Sequence, residues 1–311
     1  MRHPWLVFAI ATGLSATPAA ATDYPLVLDN CGMSLRVEAP PQRAVAIKSS
    51  AAELLLTLGL ADRMVGMAFL DGPLPQEVST EAADIAVLSD KLPSQEVVLE
   101  TEPDFIYGGW ESNFSGEGAG ERPMLDQLGV VAYVAPAACR SVKPVKLSFD
   151  QLFEEIAEMG AIFDVEGRAA DVIGEQKALL DSVAADVRGL SALWYSSGTK
   201  TPYVGAGSNA PAMIMEALGL ENIFASVDEG WTQASWEAIV DANPDVIVLV
   251  GSAWNSAEAK KQLLAENPIT SKLDAVINGR YLVVPFPASE AGVRNVPAVV
   301  DLAGQLAELS F

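Results

Sequence analysis

Residues 95–107 read QEVVLETEPDFIY, and residues 236–248, which lie 141 positions further on, read WEAIVDANPDVIV. The two stretches share a glutamate and a Pro-Asp pair at the same spacing (Glu96, Pro103, Asp104 and Glu237, Pro244, Asp245). Each copy predicts a short helix, a turn at Pro-Asp and then a strand that is buried on both faces. A loop with glycine and an aromatic residue follows each copy, at 108–110 and at 251–254. The repeat therefore predicts two α/β lobes of similar plan.

The sequence before the first copy predicts further α/β units. Residues 44–47 form a continuous apolar run, which is typical of a strand buried on both faces of a sheet. Ser49 and Ser50 are candidate caps for the helix that follows, and this helix should stop at Gly59. Residues 24–37 predict an opening hairpin. Strand, loop and helix thus follow one another as they do in an α/β domain.

Between the two copies lies the longest helical stretch of the sequence. Residues 149–163 are amphipathic, and residues 165–189 keep helical periodicity without proline. A helix over 165–189 would span on the order of 35 Å, enough to bridge two lobes. An ordinary packing helix within one domain is the alternative. We therefore expect an N-terminal lobe at 22–164, a connecting helix at 165–189 and a C-terminal lobe at 190–311.

The first 21 residues predict export. Arg2 precedes an apolar run from Trp5 to Leu14, which is too short to span a bilayer, and an A-x-A cleavage site follows at 19–21. No cysteine follows the run in the pattern of a lipoprotein. We expect a mature protein that starts at Thr22 and is free in the periplasm. No other segment is apolar over 18 or more residues, which argues against membrane insertion.

Composition and charge argue against several classes of function. The net charge of −22 argues against nucleic-acid binding, which needs clustered Lys and Arg, and an acidic surface favours a soluble monomer. The single histidine, His3, lies in the segment that we expect to be removed. The mature chain would then have no imidazole for Ser-His-Asp or Cys-His catalysis. Catalysis by carboxylates stays open, and Glu111 and Glu117 are the candidate residues of a hydrolase.

Cys31 and Cys139 are the two cysteines of the sequence. In an oxidising compartment, an isolated pair of cysteines usually forms a disulfide. The bond would close a loop of about 109 residues and contribute about 4 to 5 kcal/mol in the chain-entropy model. Two free thiols or a metal site are the alternatives, although two ligands do not make a closed zinc site.

Several motifs occur together in a fixed order. They are PQRAVAI at 41–47, AAELLLTLGL at 51–60, RMVG at 63–66, the two Glu-x6-Pro-Asp copies, the long connector and NGRY at 278–281. Across essentially the whole mature chain, this order resembles the helical-backbone (class III) periplasmic substrate-binding proteins of ABC importers for iron siderophores, haem and cobalamin. The resemblance implies two Rossmann-like lobes with parallel sheets, joined by a single long α-helix. It also implies a small-molecule ligand in the cleft between the lobes, and no cofactor or enzyme activity.

The resemblance further implies contact with a membrane permease. Members of this class place one acidic residue on each lobe to pair with arginines of the transporter. By their position in the repeat, Glu96 and Glu237 match these two docking residues. Two charges at equivalent places would set the register of docking by electrostatic complementarity. The alternative is that both glutamates only cap their helices or interact with the helix dipoles.

Loops after the apolar strands should line the cleft. They fall at 48–50, 69–71, 89–91 and 107–114 in the first lobe, and at 205–209, 229–232, 251–255 and 285–294 in the second. The candidate ligand-binding residues are Lys48, Phe69, Tyr107, Trp110, Trp231, Trp254 and Arg294. The aromatic rings suit a large chelate, and Trp231 lies where cobalamin-binding members carry a stacking tryptophan.

The ligand itself is predicted less sharply than the fold. We expect an iron(III)-siderophore type of metal chelate, recognised through its ligand shell without a protein donor to the metal. Lys48, Arg140 and Arg294 are the best-placed cations for an anionic chelate. Because cations are few, a corrinoid such as cobalamin or a deazaflavin-type precursor is a serious alternative. Haem is a further alternative, for which Tyr107 is a candidate axial ligand.

Overall fold

The computed structural model describes residues 22–143 and 146–311. The predicted leader, residues 1–21, lies outside the described residues. Within the described ranges, no helix is both long enough and apolar enough to cross a membrane.

The strands are β1 (Leu26–Asn30), β2 (Met33–Val37), β3 (Ala44–Ile47), β4 (Met64–Ala68), β5 (Val87–Ser89), β6 (Phe105–Gly108), β7 (Val131–Val134), β8 (Ser191–Ser197), β9 (Tyr203–Gly205), β10 (Glu221–Asn222), β11 (Trp231–Gln233), β12 (Val246–Gly251) and β13 (Tyr281–Pro285). The helices are α1 (Ser49–Thr57), α2 (Gln76–Ser79), α3 (Gln95–Leu99), α4 (Arg122–Gln127), α5 (Phe149–Ile162), α6 (Glu166–Asp181), α7 (Ala210–Ala217), α8 (Trp236–Ala242), α9 (Ala257–Glu266), α10 (Asp274–Ile277), α11 (Phe286–Ser289) and α12 (Asn295–Glu308).

Two sheets organise the chain and confirm the α/β fold with two lobes. The first lobe is built on a sheet of order β5-β4-β3-β6-β7, in which every pair is parallel. The second lobe is built on the order β11-β9-β8-β12-β13, with β10 beside β8. The predicted hairpin is present as the antiparallel pair β1 and β2.

The prediction of parallel sheets is wrong at one edge of the second lobe. Strand β9 runs antiparallel to both β8 and β11. The connection between β8 and β9 covers only residues 198–202. This is too short for the crossover that a parallel pair requires, so the chain turns back as a hairpin.

The predicted repeat corresponds to the same local structure in both lobes. Helices α3 and α8 each lead into a strand that lies beside the central strand of its sheet, β6 next to β3 and β12 next to β8. The carboxylate of Asp104 accepts the backbone N–H groups of Gln42 and Arg43 at 2.7 and 2.9 Å. The carboxylate of Asp245 accepts the backbone N–H and the hydroxyl of Ser191 at 2.9 and 2.8 Å. Each Pro-Asp pair therefore ties its strand to the start of the neighbouring one.

Strand β3 and helix α1 lie at the centre of the first lobe. All four residues of β3 are fully buried, as the apolar run predicts. The expected capping by Ser49 or Ser50 is wrong, because the helix starts at Ser49 and neither side chain caps it. The hydroxyl of Ser49 instead accepts the backbone N–H of Asp71 at 2.8 Å. A contact from a distant loop has thus replaced a local cap.

The connecting helix is shorter than the sequence predicts. Helix α6 ends at Asp181, eight residues before the expected end at 189, and so spans about 24 Å. Beyond it, the backbone N–H of Asp186 donates to the carbonyl of Leu218 in the second lobe at 2.8 Å and not to a preceding turn of the helix. Helix α6 places Val172 in the core of the first lobe, and Leu180 touches the cores of both. The lobe limits at 164 and 190 stay a prediction.

The predicted disulfide between Cys31 and Cys139 is confirmed, with the two Cα atoms 5.3 Å apart. Cys31 lies in the turn of the hairpin, and Cys139 lies in the loop after β7. The bond therefore anchors the hairpin to a loop that leaves the carboxyl edge of the first sheet.

We expect loss of the disulfide to destabilise the protein. The cysteines are 108 residues apart, so an open chain gains much conformational freedom on unfolding, and the variant C31S/C139S should lose about 3 to 5 kcal/mol. Urea unfolding measures this loss, and wild-type protein treated with a reducing agent should match the variant. A difference below about 1 kcal/mol would contradict the expectation.

A buried carboxyl group lies between helix α5 and the first sheet. Glu155 is only 7% exposed and accepts the hydroxyl of Tyr107. Tyr133 donates to the neighbouring Glu158 in the same way. Burial raises the pKa of Glu155 to about 7, with a further contribution from the charge of Glu158, while the bond from Tyr107 opposes the shift. The folded state therefore favours the protonated form of Glu155.

This raised pKa makes stability depend on pH. Since the pKa of an unfolded glutamate is about 4.3, the contribution of protonated Glu155 is complete below that value and is lost as pH rises through 7. Between pH 5 and pH 8, Glu155 should account for about 2 to 3 kcal/mol of the fall in the unfolding free energy of the wild type, and E155Q should lack this part of the fall. Urea unfolding at several pH values tests this, with the exposed neighbour in E154Q as the control. Equal slopes in E155Q and wild type would show that Glu155 does not titrate as inferred.

Candidate functional site

A cleft of about 660 Å³ lies between the two lobes. Its first wall comes from the loops after β6 and β7, and its opposite wall comes from β9, the start of α7, the segment before β11 and the segment after β13. The polar and aromatic lining residues include Trp110, Arg140, Lys143, Tyr203, Asn209, Glu229, Trp231 and Glu290. This volume is typical of small-molecule sites.

Aromatic rings from both lobes face this cleft. Trp110 belongs to the first lobe, directly after the glycines that end β6. In the second lobe, Trp231 stacks on Tyr203, with ring centroids 5.9 Å apart and an interplanar angle of 13°. The stack arises because β11 and β9 are antiparallel, so that the two residues lie diagonally across the pair. The arrangement offers broad flat surfaces to a ligand.

The charges that line the cleft are mixed. Arg140 and Lys143 come from the first lobe, while Glu229 and Glu290 come from the second. Lys143 is paired across the cleft with the exposed Asp228 at 2.6 Å. Such an exposed pair contributes little to stability but reduces the positive charge available to a ligand.

Several hydrogen bonds cross between the lobes beside the cleft. The indole N–H of Trp110 donates to the carboxylate of Glu290 at 3.0 Å. The side-chain amide of Asn209 donates to the carbonyl of Ala137 at 3.1 Å. Burial raises the pKa of Glu290, although the bond from Trp110 and the charge of Lys48 act in the opposite direction.

Lys48 lies behind Trp110 and does not line the cleft. It is 1% exposed, and its ammonium pairs with the carboxylate of Asp71. The same ammonium lies 3.7 Å from the ring centroid of Trp110 and 4.2 Å from that of Phe69. Burial lowers the pKa of Lys48, while Asp71 opposes the shift. Phe69 itself meets Trp110 edge to face at 5.8 Å.

Three other predicted ligand-binding residues also lie away from the cleft wall. Tyr107 is 2% exposed and is engaged with Glu155 inside the first lobe. Arg294 forms a two-pronged ion pair with Glu53. Trp254 is 66% exposed and rests its ring against Phe286 at 5.4 Å. Of the seven predicted residues, only Trp110 and Trp231 are brought together at the cleft.

Sequence reasoning missed one aromatic residue of the cleft. Asn209, Glu229 and Glu290 lie within the loops predicted to line it, whereas Tyr203 lies in a strand just before such a loop. No local signal singles out Tyr203, because its partner Trp231 is reached only through the antiparallel edge of the sheet. The connection at 198–202, which is five residues long and contains Gly198, is the one hint that a hairpin, and not a crossover, occurs there.

Glu111, one of the two candidate residues of a hydrolase, holds a loop in place. Its carboxylate accepts the backbone N–H groups of Arg140 and Ser141 and also the hydroxyl of Ser141. Partial burial raises the pKa of Glu111, but these hydrogen bonds have the larger, opposite effect. The pKa therefore lies below its usual value. A general acid needs the opposite shift. Glu111 thus shapes the cleft loop that carries Arg140.

Glu96 and Glu237 occupy equivalent exposed positions. Each lies in the first turn of its helix, two residues after a serine cap. The hydroxyl of Ser94 accepts the N–H of Val97 at 3.4 Å, and that of Ser235 accepts the N–H of Ala238 at 3.1 Å. The serines therefore do the capping. Capping is therefore not the role of these glutamates. Interaction with the helix dipoles is the alternative to docking that stays open.

Comparison with known proteins yields a family match and distant relatives. The chain is 24% identical to the "Uncharacterized ABC transporter substrate-binding lipoprotein YvrC" of Bacillus subtilis, over 90% of this chain and 85% of that one. It is 25% identical to the "Cobalamin-binding protein" of Halobacterium salinarum, over 82% of this chain and 66% of that one. A solved structure from Saccharomonospora viridis, titled as an ABC-type Fe3+-hydroxamate transport system, superposes with a TM-score of 0.78 at 25% identity, covering 91% and 99% of the two chains. The family model described as "Periplasmic binding protein" matches residues 45–288. The chain therefore belongs to the periplasmic binding protein family.

Proposed function

We propose that this protein is the substrate-binding component of an ABC importer and that its ligand is a large, nearly neutral ring compound of the corrinoid type. The observation that carries the proposal is the cleft between Trp110 on one lobe and the stacked pair of Trp231 and Tyr203 on the other. Flat rings on both walls suit a ligand that is bound by stacking and by hydrogen bonds at its edge. A cobalamin-binding relative supports the same ligand class.

The distribution of charge supports a neutral ligand over an anionic one. Two of the three cations expected to meet an anionic chelate are occupied, Lys48 by Asp71 and Arg294 by Glu53. Among the described residues, Arg140 and Lys143 are the cations that line the cleft, and they are balanced there by two glutamates. A highly charged ferric siderophore would be bound poorly by such a surface.

A ferric hydroxamate is the second candidate ligand. Three hydroxamate groups neutralise one iron(III), so this kind of siderophore carries little net charge and would not need the cations that the cleft lacks. The Saccharomonospora viridis structure, whose title names a hydroxamate transport system, favours it. Haem is less well supported. Tyr203 is the cleft tyrosine, and burial raises the pKa of its hydroxyl, which disfavours the phenolate that iron requires.

We propose that the mature protein is a periplasmic monomer without a lipid anchor on either of its cysteines. The Bacillus relative is named a lipoprotein, and such anchors are attached through a cysteine thiol. Here, both cysteines of the sequence are joined in the disulfide, so neither thiol is free. Mass spectrometry of the exported protein tests the proposal.

We expect cyanocobalamin to bind and to raise the melting temperature of the wild-type protein. Binding to the folded state alone stabilises it in proportion to the logarithm of ligand concentration over Kd. The variants W110A and W231A should each bind about tenfold or more weakly, because each removes one stacking wall. Calorimetric titration measures the affinities. W254A is the matched control, since Trp254 is exposed and away from the cleft wall.

A neutral ferric trihydroxamate and a deazaflavin precursor form the other arms of this titration. Tight binding of the hydroxamate without cyanocobalamin binding would establish the second candidate. Binding of none of these compounds at concentrations well above micromolar would overturn the proposed ligand class. An equal loss of affinity in W254A and W110A would show that the cleft next to Trp110 is not the specific binding site.

We also propose that Glu96 and Glu237 dock the protein on its permease. Charge reversal in E96K and E237K should abolish uptake of cyanocobalamin by cells that depend on the variant, while leaving its affinity in solution unchanged. The control is E258K, because Glu258 is also exposed and also lies two residues after a serine cap. All three reversals place a positive charge in the first turn of a helix, where the helix dipole disfavours it. A similar loss of uptake in E258K would therefore refute docking by Glu96 and Glu237.

A further inference from the structure

Lys48 is a buried cation next to the cleft, but it is not one of the residues that line the cleft. Its side chain is 1% exposed, and its charge is balanced by Asp71, which is also buried. The pair is held in place locally, since the hydroxyl of Ser49 accepts the backbone N–H of Asp71 at 2.8 Å. A buried ion pair is a poor source of stability, because desolvation offsets most of the attraction. A contribution to stability therefore does not explain why the pair of Lys48 and Asp71 is buried here.

The ammonium of Lys48 is enclosed by aromatic rings. The centroid of the Trp110 ring is 3.7 Å away and that of Phe69 is 4.2 Å away, while Phe286 of the second lobe lies at 6.0 Å. Attraction between a cation and a ring is strongest for indole and grows when water is excluded. Of the three rings, Trp110 is both the nearest to the ammonium and a lining residue of the cleft.

The backbone around this contact adopts unusual conformations. Lys48 and Phe69, directly after β3 and β4, both have a positive φ, of 86° and 54°. Residues other than glycine rarely adopt such φ values, and the residues that do so are concentrated at functional sites. At Gly109, a Cβ atom would lie 2.8 Å from the Cβ of Lys48 and 2.7 Å from the hydroxyl of Ser50. Only glycine lets the chain before Trp110 rest directly on the stem of Lys48.

The indole of Trp110 is thus held from several sides. The ammonium lies over its ring, Phe69 meets it edge to face, and its N–H donates to Glu290 across the lobes. We infer that Lys48 is a positioning residue, which fixes the orientation of the Trp110 indole that a planar ligand meets in the cleft. The inference deepens the proposed function, on which it rests. A preset ring avoids the loss of side-chain freedom that binding would otherwise cost.

A double-mutant cycle tests whether Lys48 acts through Trp110. The variant K48M/D71N removes both charges together, so that no unpaired carboxylate stays buried. With Trp110 present, it should bind cyanocobalamin about five- to tenfold more weakly than wild type. In a W110A background, the same pair of changes should alter affinity less than about twofold. Equal losses in both backgrounds would overturn the inference.

Lys260 provides a matched control for removing a buried lysine. It is 2% exposed, and its ammonium donates to the carbonyls of Val250 and Asn255, outside the cleft. K260M should lower the melting temperature and leave the affinity for cyanocobalamin unchanged. If K260M weakens binding as much as K48M/D71N does, the effect belongs to general destabilisation and the positioning role is refuted.

A second readout needs no ligand and separates this inference from the proposed function. In protein labelled with 5-fluorotryptophan, W110F assigns the ¹⁹F resonance of Trp110. K48M/D71N should shift and broaden that resonance and leave those of Trp231 and Trp236 in place, while K260M should not affect it. Failure of cyanocobalamin to bind wild type would refute the proposed ligand only. An unchanged Trp110 resonance in K48M/D71N would refute the positioning role whatever the ligand is.

Discussion

The carboxylates of Asp104 and Asp245 tie the central strand of each sheet to the strand beside it. Each one hydrogen-bonds the segment that enters the central strand of its sheet, at the end of the pairs that β6 forms with β3 and β12 forms with β8. Because these strands are parallel, their carboxyl ends meet at one edge in each lobe, and the loops that follow must emerge there. The loop with Trp110 leaves that edge of the first sheet, and the segment with Glu290 follows β13 at that of the second. The cleft is therefore a consequence of the strand order.

The two lobes are held together by the segment between β13 and α12 as well as by the chain that connects them. Arg294 of this segment binds Glu53, Glu290 accepts the indole N–H of Trp110, and Val293 packs in the core of the first lobe. These three residues belong to the second lobe by sequence but pack against the first lobe. A binding protein with such contacts can open only modestly without breaking an ion pair and a hydrogen bond. Helix α6, at about 24 Å, adds a second restraint.

The same contacts explain why the cleft is poor in positive charge. Lys48 and Arg294 are paired with carboxylates of the protein itself, so neither charge is available to a ligand. The cleft is left with aromatic rings and a balanced set of charges at its rim, which is the chemistry of stacking and hydrogen bonding. Membership of the periplasmic binding protein family agrees with a small-molecule site between lobes. The ligand class that we propose follows from which side chains remain free, and this could not be read from the residue types alone.

The sequence by itself determined the two-lobed α/β plan, the buried strands, the hairpin and the disulfide, because these depend on local periodicity, on turn residues and on a repeat. It also pointed to Trp110, which follows two glycines in the loop after the first repeat copy, and to Trp231, whose position matches that of the stacking tryptophan in cobalamin-binding members. Tertiary structure alone decided which other candidates face the cleft. Lys48, Tyr107 and Arg294 are engaged by carboxylates 23, 48 and 241 residues away, and Tyr203 meets Trp231 only across an antiparallel edge. Hydrogen bonds and ion pairs of this kind depend on distances in space, which residue spacing along the chain does not contain.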